Sequence, residues 1–167
     1  MLKIAITGSL SSGKSTVSKI ISKKRYPVFD ADVEVKNFYK DYDNIKAIRN
    51  KFRIKGNKDI KVLIKEKLQK KVIKLKDIEK MIHPYVRKNM RKFVKKNRNK
   101  NVLVFEIPLL VESKLTKFFD ITIFVHSPKK IRIKRFVKKG GNIKIFSLLD
   151  KRQMDYKIKS KHCQHVI

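Results

Sequence analysis

The chain has one cysteine, Cys163, and no tryptophan among its 167 residues. A single thiol excludes an internal disulfide framework and any thiol cluster for zinc. His126, His162 and His165 show no metal-ligand spacing either. Acidic residues are few, 14 against 45 Lys and Arg, which gives a formal net charge of +31. No apolar run approaches the roughly 20 uncharged residues a membrane span needs. The apolar stretch Ile4 to Ile6 is too short for a secretory signal, and a glycine-containing turn follows it. These absences favour a cytoplasmic protein with no membrane partner.

Apolar residues make up 41%, which is not a disordered composition, and the length suits one domain with a genuine core. There is no internal repeat and no low-complexity linker. The basic excess would attract nucleic acid. Yet it is mostly Lys, spread evenly and partnered by Ile, with no base-reading motif or aromatic platform. The expectation is a solvated basic surface that pulls on polyanionic substrates, with no specific nucleic-acid partner. A basic nucleotide-dependent nucleic-acid-binding protein is the rival reading.

Apolar runs at residues 3–7, 26–29, 102–107 and 121–125 read as short buried strands, and residues 164–167 as the start of a last one. Lys14 to Lys24 carries Val17, Ile20 and Ile21 at helical spacing. Residues 33–100 read as helical almost throughout, with Ile60, Leu63, Ile64, Leu68, Val72, Leu75, Ile78 and Met81 in three- and four-residue steps. Pro84 is expected in the first turn of a new helix, with His83 before it as a helix-capping residue. Helices follow Pro128 and the Gly140-Gly141-Asn142 gap, the second over about 143–154. The predicted class is α/β: a three-layer parallel sheet wrapped by helices, with a helical insertion.

The stretch GSLSSGKST, residues 8–16, follows the first strand and opens the first helix, as a phosphate-binding loop requires. Gly8 and Gly13 let the backbone curl so that amides from Ser11 through Ser12, Gly13, Lys14, Ser15 and Thr16 face phosphate oxygens. The helix adds its positive end. Lys14 supplies a point charge to the outer phosphates, and the Ser15 hydroxyl suits Mg²⁺. Nucleoside triphosphate binding follows from this; its use does not.

Further residues carry a resemblance. Thr7-Gly8 through Ser12-Gly13-Lys14-Ser15-Thr16-Val17, then Pro27-Val28-Phe29-Asp30-Ala31-Asp32, Ile82-His83-Pro84 and Glu106-Ile107-Pro108-Leu109-Leu110-Val111-Glu112 occur in that order. With Arg135, Arg152-Gln153-Met154 and Val166-Ile167, they resemble the dephospho-CoA kinase family over nearly the whole chain. The resemblance implies a P-loop nucleoside-monophosphate-kinase-like fold in one domain, residues 1–167, with a core at 1–35 and 100–167. A helical insertion for the CoA precursor is expected at about 36–99, and a small lid at about 135–152. It implies ATP and Mg²⁺ as cofactors and dephospho-CoA as acceptor. The rival within the enzyme class is another small P-loop kinase acting on a nucleotide or metabolite.

Carried over residue by residue, the resemblance implies Asp32 as catalytic base, with Lys14 and Arg135 as catalytic cations. Ser15 and Glu106 would support the metal. Asp30, Asp32, His83, Pro108, Leu109 and Leu110 would meet the acceptor. On its own spacing, Asp32 equally fits a helix N-cap, Glu106 a buried carboxylate paired with lysine, and Glu112 a solvated helix residue. The chain departs from the family at Ser9 and Ser11, where glycine is usual. It departs again at Lys139-Gly140, where a second lid arginine followed by aspartate is usual. It stops at Ile167, where relatives run on through an asparagine-containing loop and a final helix.

Overall fold

A computed structural model describes residues Met1–Ile167. The chain forms two compact units, one of Met1–Ala31 with Lys96–Ile167 and one of Asp32–Lys95. The division thus falls after residue 31 and after residue 95, earlier than the 35 and 99 expected from sequence.

The first unit is built on a five-stranded parallel sheet in the order β2-β3-β1-β4-β5. The strands are β1 (Leu2–Gly8), β2 (Val28–Asp30), β3 (Val102–Glu106), β4 (Ile121–Val125) and β5 (His165–Val166). Residues Ile4 to Thr7 of β1 and Leu103 to Glu106 of β3 are buried without interruption. Strands covered on both faces need no polar alternation, which is why they read in the sequence as plain apolar runs. The period-two pleat sorts their side chains. Ile6, Val104 and Val125 face Val17 and Ile21 of helix α1 (Lys14–Ser22). Phe105 stacks with Phe29 and Phe119 at ring distances of 5.8 and 5.0 Å. Glu106, two residues past Val104, is thereby turned onto the α1 side.

Helices α6 (Lys129–Lys138) and α7 (Ile143–Asp150) are joined through Gly140 at φ +85°. Phe136 and Phe146 pack edge-on across them at 5.6 Å. Helix α7 ends at Asp150 rather than near 154, and a short helix α8 (Tyr156–Lys161) precedes β5. That helix carries too little apolar periodicity to be seen in sequence.

In the second unit the expected helical stretch resolves into α2 (Ala31–Phe38, its first residue belonging to the sheet unit), α3 (Tyr42–Phe52), α4 (Ile60–Gln69) and α5 (Leu75–Lys96, its last residue likewise). Asp41 and Asp59 cap α3 and α4, accepting from Asn44 N and Lys61 N at 2.9 and 2.8 Å. The core is isoleucine-rich: Ile48, Ile54, Ile60, Ile64, Ile73, Ile78 and Ile82 surround Phe38.

Pro84 starts no helix; it lies inside the continuous α5. A mid-helix proline loses one backbone hydrogen bond and costs about 3 kcal/mol. The apolar stripe nevertheless runs through it, with Ile78, Ile82 and Met90 buried on one face. Pro84 itself is on the exposed side. Burial of that stripe, at about 1.5–3 kcal/mol per large side chain, outweighs the lost bond. His83, in mid-helix, caps nothing.

Candidate active site

In an open parallel sheet, ligands bind beyond the carboxyl ends of the strands. Here that edge brings together the ends of β2, β3 and β1, with Asp30 and Ile6 in register on either side of Glu106. The loop after β1 turns sharply at Gly8, whose φ is +152°. A β-carbon there would lie 2.5 Å from the Val125 carbonyl oxygen and 2.7 Å from Ser12 Oγ. No side chain fits that approach, so glycine is obligatory. Gly13, at φ +111°, opens α1. Ser11 also holds a left-handed conformation, φ +58°, at a position where the resemblance expects glycine.

Lys14 is buried, and its ammonium donates to the carbonyls of Gly8 and Ser9 at 3.2 and 3.0 Å, spanning the mouth of the loop. Ser15 Oγ donates to Glu106 Oε1 at 2.8 Å. Ser18, one helical turn on, shares its hydroxyl between Glu106 Oε2 at 3.1 Å and Lys14 O at 2.9 Å. The carboxylate of Glu106 is therefore held by two serine hydroxyls, and no lysine pairs with it. Ser18 escaped the sequence reading, although its three-residue step from Ser15 places both on one helix face. Within the loop, Ser12 N–H bonds Ser9 O and Thr16 N–H bonds Gly13 O. Ser12 Oγ is buried without a hydrogen-bond partner.

The outer limb of the loop is strapped by α6 and by the residues that follow α7. Arg135 Nη1 donates to Ser12 O at 2.8 Å and to Ser127 Oγ at 3.3 Å. The guanidinium lies 3.3 Å from where a Gly13 β-carbon would stand. Leu10 N donates to Gln153 Oε1 at 2.8 Å. Arg132, absent from the sequence reading, donates to Leu10 O and Ser127 O and forks onto Asp150. Lys139 is exposed at the end of α6.

Past β3, Pro108 and Leu109 are half-buried, while Leu110 is fully buried and anchors the turn from inside. Glu112 is not a solvated helix residue: it pairs with the buried Lys159 at 2.9 Å. Asp32 is exposed in the first turn of α2, two residues beyond the end of β2, and it does not stand at the N-cap position. His83 lies in α5 of the second unit.

The family model for dephospho-CoA kinase matches residues 2–167. The chain belongs to the dephospho-CoA kinase family. Among curated relatives, a dephospho-CoA kinase from Fusobacterium nucleatum is 38% identical over 119 residues, 68% of this chain and 61% of that protein. One from Zymomonas mobilis is 33% identical over 122 residues, 70% of this chain and 61% of the relative. The aligned chain thus spans about three fifths of those dephospho-CoA kinases. A Thermus thermophilus crystal structure superposes with a TM-score of 0.82 at 25% identity, covering 99% of this chain and 86% of that one. The dephospho-CoA kinase of Campylobacter jejuni, at 23% identity and TM-score 0.63 over 99% of this chain and 86% of that one, shares the fold. These matches confirm the expected α/β P-loop kinase fold and the family resemblance.

Proposed function

We propose that the chain is an ATP-dependent kinase that transfers the γ-phosphoryl group to the ribose 3′-hydroxyl of dephospho-CoA, giving CoA and ADP in the cytoplasm. One observation supports this above the rest. The phosphate loop, the Ser15–Glu106 junction and Arg135 occupy one edge of the sheet, in a chain whose family model runs through residues 2–167.

The donor set fits ATP with Mg²⁺. A hydroxyl and a carboxylate at 2.8 Å are hard oxygen donors. The absence of any three-residue His, Cys, Asp or Glu cluster suits an ion that takes its other ligands from water and substrate phosphates. When bound, the ion neutralises charge on the phosphates. Lys14 then exchanges its two carbonyl partners for phosphate oxygens, and the orphaned Ser12 hydroxyl gains an acceptor. Arg135 stabilises negative charge on the transferring group. Asp32 accepts the proton of the attacking hydroxyl and orients it in line. Asp30, Pro108 and Leu109 contact the acceptor, and Leu110 supports that contact from the core. The protein contributes positioning and electrostatics, with no covalent intermediate.

An ADP-release assay tests the reading. Wild-type protein should release ADP in proportion to dephospho-CoA added, and Asp32→Asn should lose most turnover while keeping ATP affinity. Turnover indifferent to dephospho-CoA but driven by another alcohol or nucleoside refutes the acceptor. Near-normal turnover in Asp32→Asn removes that residue from the role of base.

A further inference from the structure

Lys159 is fully buried in a chain that exposes nearly all of its 45 Lys and Arg side chains. Its ammonium, carried on α8, donates to the carbonyl of Pro108 and to Glu112 Oε1 at 2.9 Å. The same Glu112 oxygen accepts from Met154 N at 3.2 Å, just ahead of α8. The Pro108 carbonyl also accepts from Thr7 Oγ1 at 3.1 Å, one residue before the phosphate loop begins. The turn after β3 closes on itself as well: Ser113 N–H bonds Leu109 O and Leu115 N–H bonds Leu110 O.

Burying an ammonium costs several kcal/mol even when it is paired, and an apolar side chain of the same volume would fill the space at lower cost. An apolar residue could not hold a carbonyl and a carboxylate together. That pairing fixes the Pro108 peptide plane, and with it the direction in which Leu109 leaves the sheet edge. Thr7 ties the same carbonyl to β1, so the turn after β3 is set relative to the loop that grips the triphosphate.

We propose that Lys159 is a positioning residue for the acceptor side of the site, holding the Pro108–Glu112 turn through the Pro108 carbonyl and Glu112. The proposal rests on the reading of Pro108 and Leu109 as acceptor contacts. It assigns α8 a role in acceptor affinity and none in ATP affinity, since no bond of Lys159 reaches the phosphate loop.

The test combines steady-state kinetics with amide hydrogen exchange on Lys159→Met and Glu112→Gln, the second keeping side-chain volume in case the first folds poorly. With the Pro108 carbonyl and Glu112 no longer held together, Lys159→Met should raise KM for dephospho-CoA about tenfold or more. KM for ATP should stay within about twofold, and Glu112→Gln should fall between wild type and Lys159→Met. In both variants peptides covering residues 107–115 should exchange faster, with those covering 8–22 unchanged. Equal rises in both KM values, or unchanged exchange at 107–115 in folded variants, overturns the proposal. If wild-type protein transfers nothing to dephospho-CoA, the functional reading fails instead. Exchange at 107–115 then decides by itself whether Lys159 positions the turn.

Discussion

Arg132 gives the sharpest test of how α6 supports the phosphate loop. Its side chain is 9% exposed and its partner Asp150 is 18% exposed. The guanidinium forks onto both oxygens of Asp150, lies over the Phe146 ring at 5.4 Å, and donates to Ser127 O and Leu10 O at 3.2 and 3.3 Å. Replacing Arg132 with methionine keeps much of the packing but strands a carboxylate and two carbonyls. Breaking a buried pair costs about 3–5 kcal/mol. Asp150 retains some access to water, so the expected loss is near the lower end, about 3 kcal/mol. At about 2–4 °C per kcal/mol for a chain of this size, the melting temperature should drop by roughly 6–12 °C. Adding Asp150→Leu removes the stranded charge, and the double variant should recover at least half of that loss. Because Leu10 belongs to the phosphate loop, Arg132→Met should also weaken binding of a fluorescent ATP analogue at a temperature where the variant is folded. Thermal melts of the two single variants and the double variant complete the cycle. A melting temperature within about 2 °C of wild type for Arg132→Met would refute the assigned cost. So would a double variant as unstable as the sum of the singles.

Two further outcomes follow from local chemistry. Ser11 holds φ +58° without being glycine, so Ser11→Gly should stabilise the protein by roughly 0.5–1 kcal/mol after the entropy gained by the unfolded chain is allowed for. A thermal melt reads this as a rise of about 1–4 °C, and a fall would show that the Ser11 side chain holds the loop. Burial pushes the Cys163 thiol up; the Lys159 ammonium opposes this, and the Glu112 carboxylate adds a smaller push upward. Its alkylation rate should therefore keep climbing with pH beyond about 8.5, the ordinary thiol midpoint. A plateau at or below that pH contradicts the burial argument.

The sheet was legible because strands buried on both faces leave apolar runs bounded by polar residues, as at Val102–Glu106 and Ile121–Val125. The phosphate loop was legible because its two glycines answer to backbone geometry, and at Gly8 no other residue fits. Pro84 misled because a local rule, that proline opens helices, competed with the buried stripe through Ile78, Ile82 and Met90, and burial prevailed. The breaks between α2, α3 and α4 were signalled by Asp41 and Asp59, whose capping role depends on neighbours that a continuous periodic pattern obscured. Arg132 and Lys159 could not be singled out among 45 basic residues, because nothing in sequence distinguishes a buried cation from a solvated one.

Burial supplies the distinction that composition withheld. Three basic side chains, Lys14, Arg132 and Lys159, are buried, and each is held by backbone carbonyls in loops leaving the carboxyl edge of the sheet. Lys14 binds Gly8 O and Ser9 O after β1. Arg132 binds Leu10 O in that same loop and Ser127 O after β4. Lys159 binds Pro108 O after β3. Desolvating a cation is costly, and carbonyl oxygens compensate only where the loop is bent to offer them. The arrangement therefore ties loop shape to a fixed positive charge at each point. Arg132 and Lys159 each also hold a carboxylate, Asp150 or Glu112. A cation already neutralised by a carboxylate gains little from an incoming anion, which leaves Arg132 and Lys159 to hold the loops in shape.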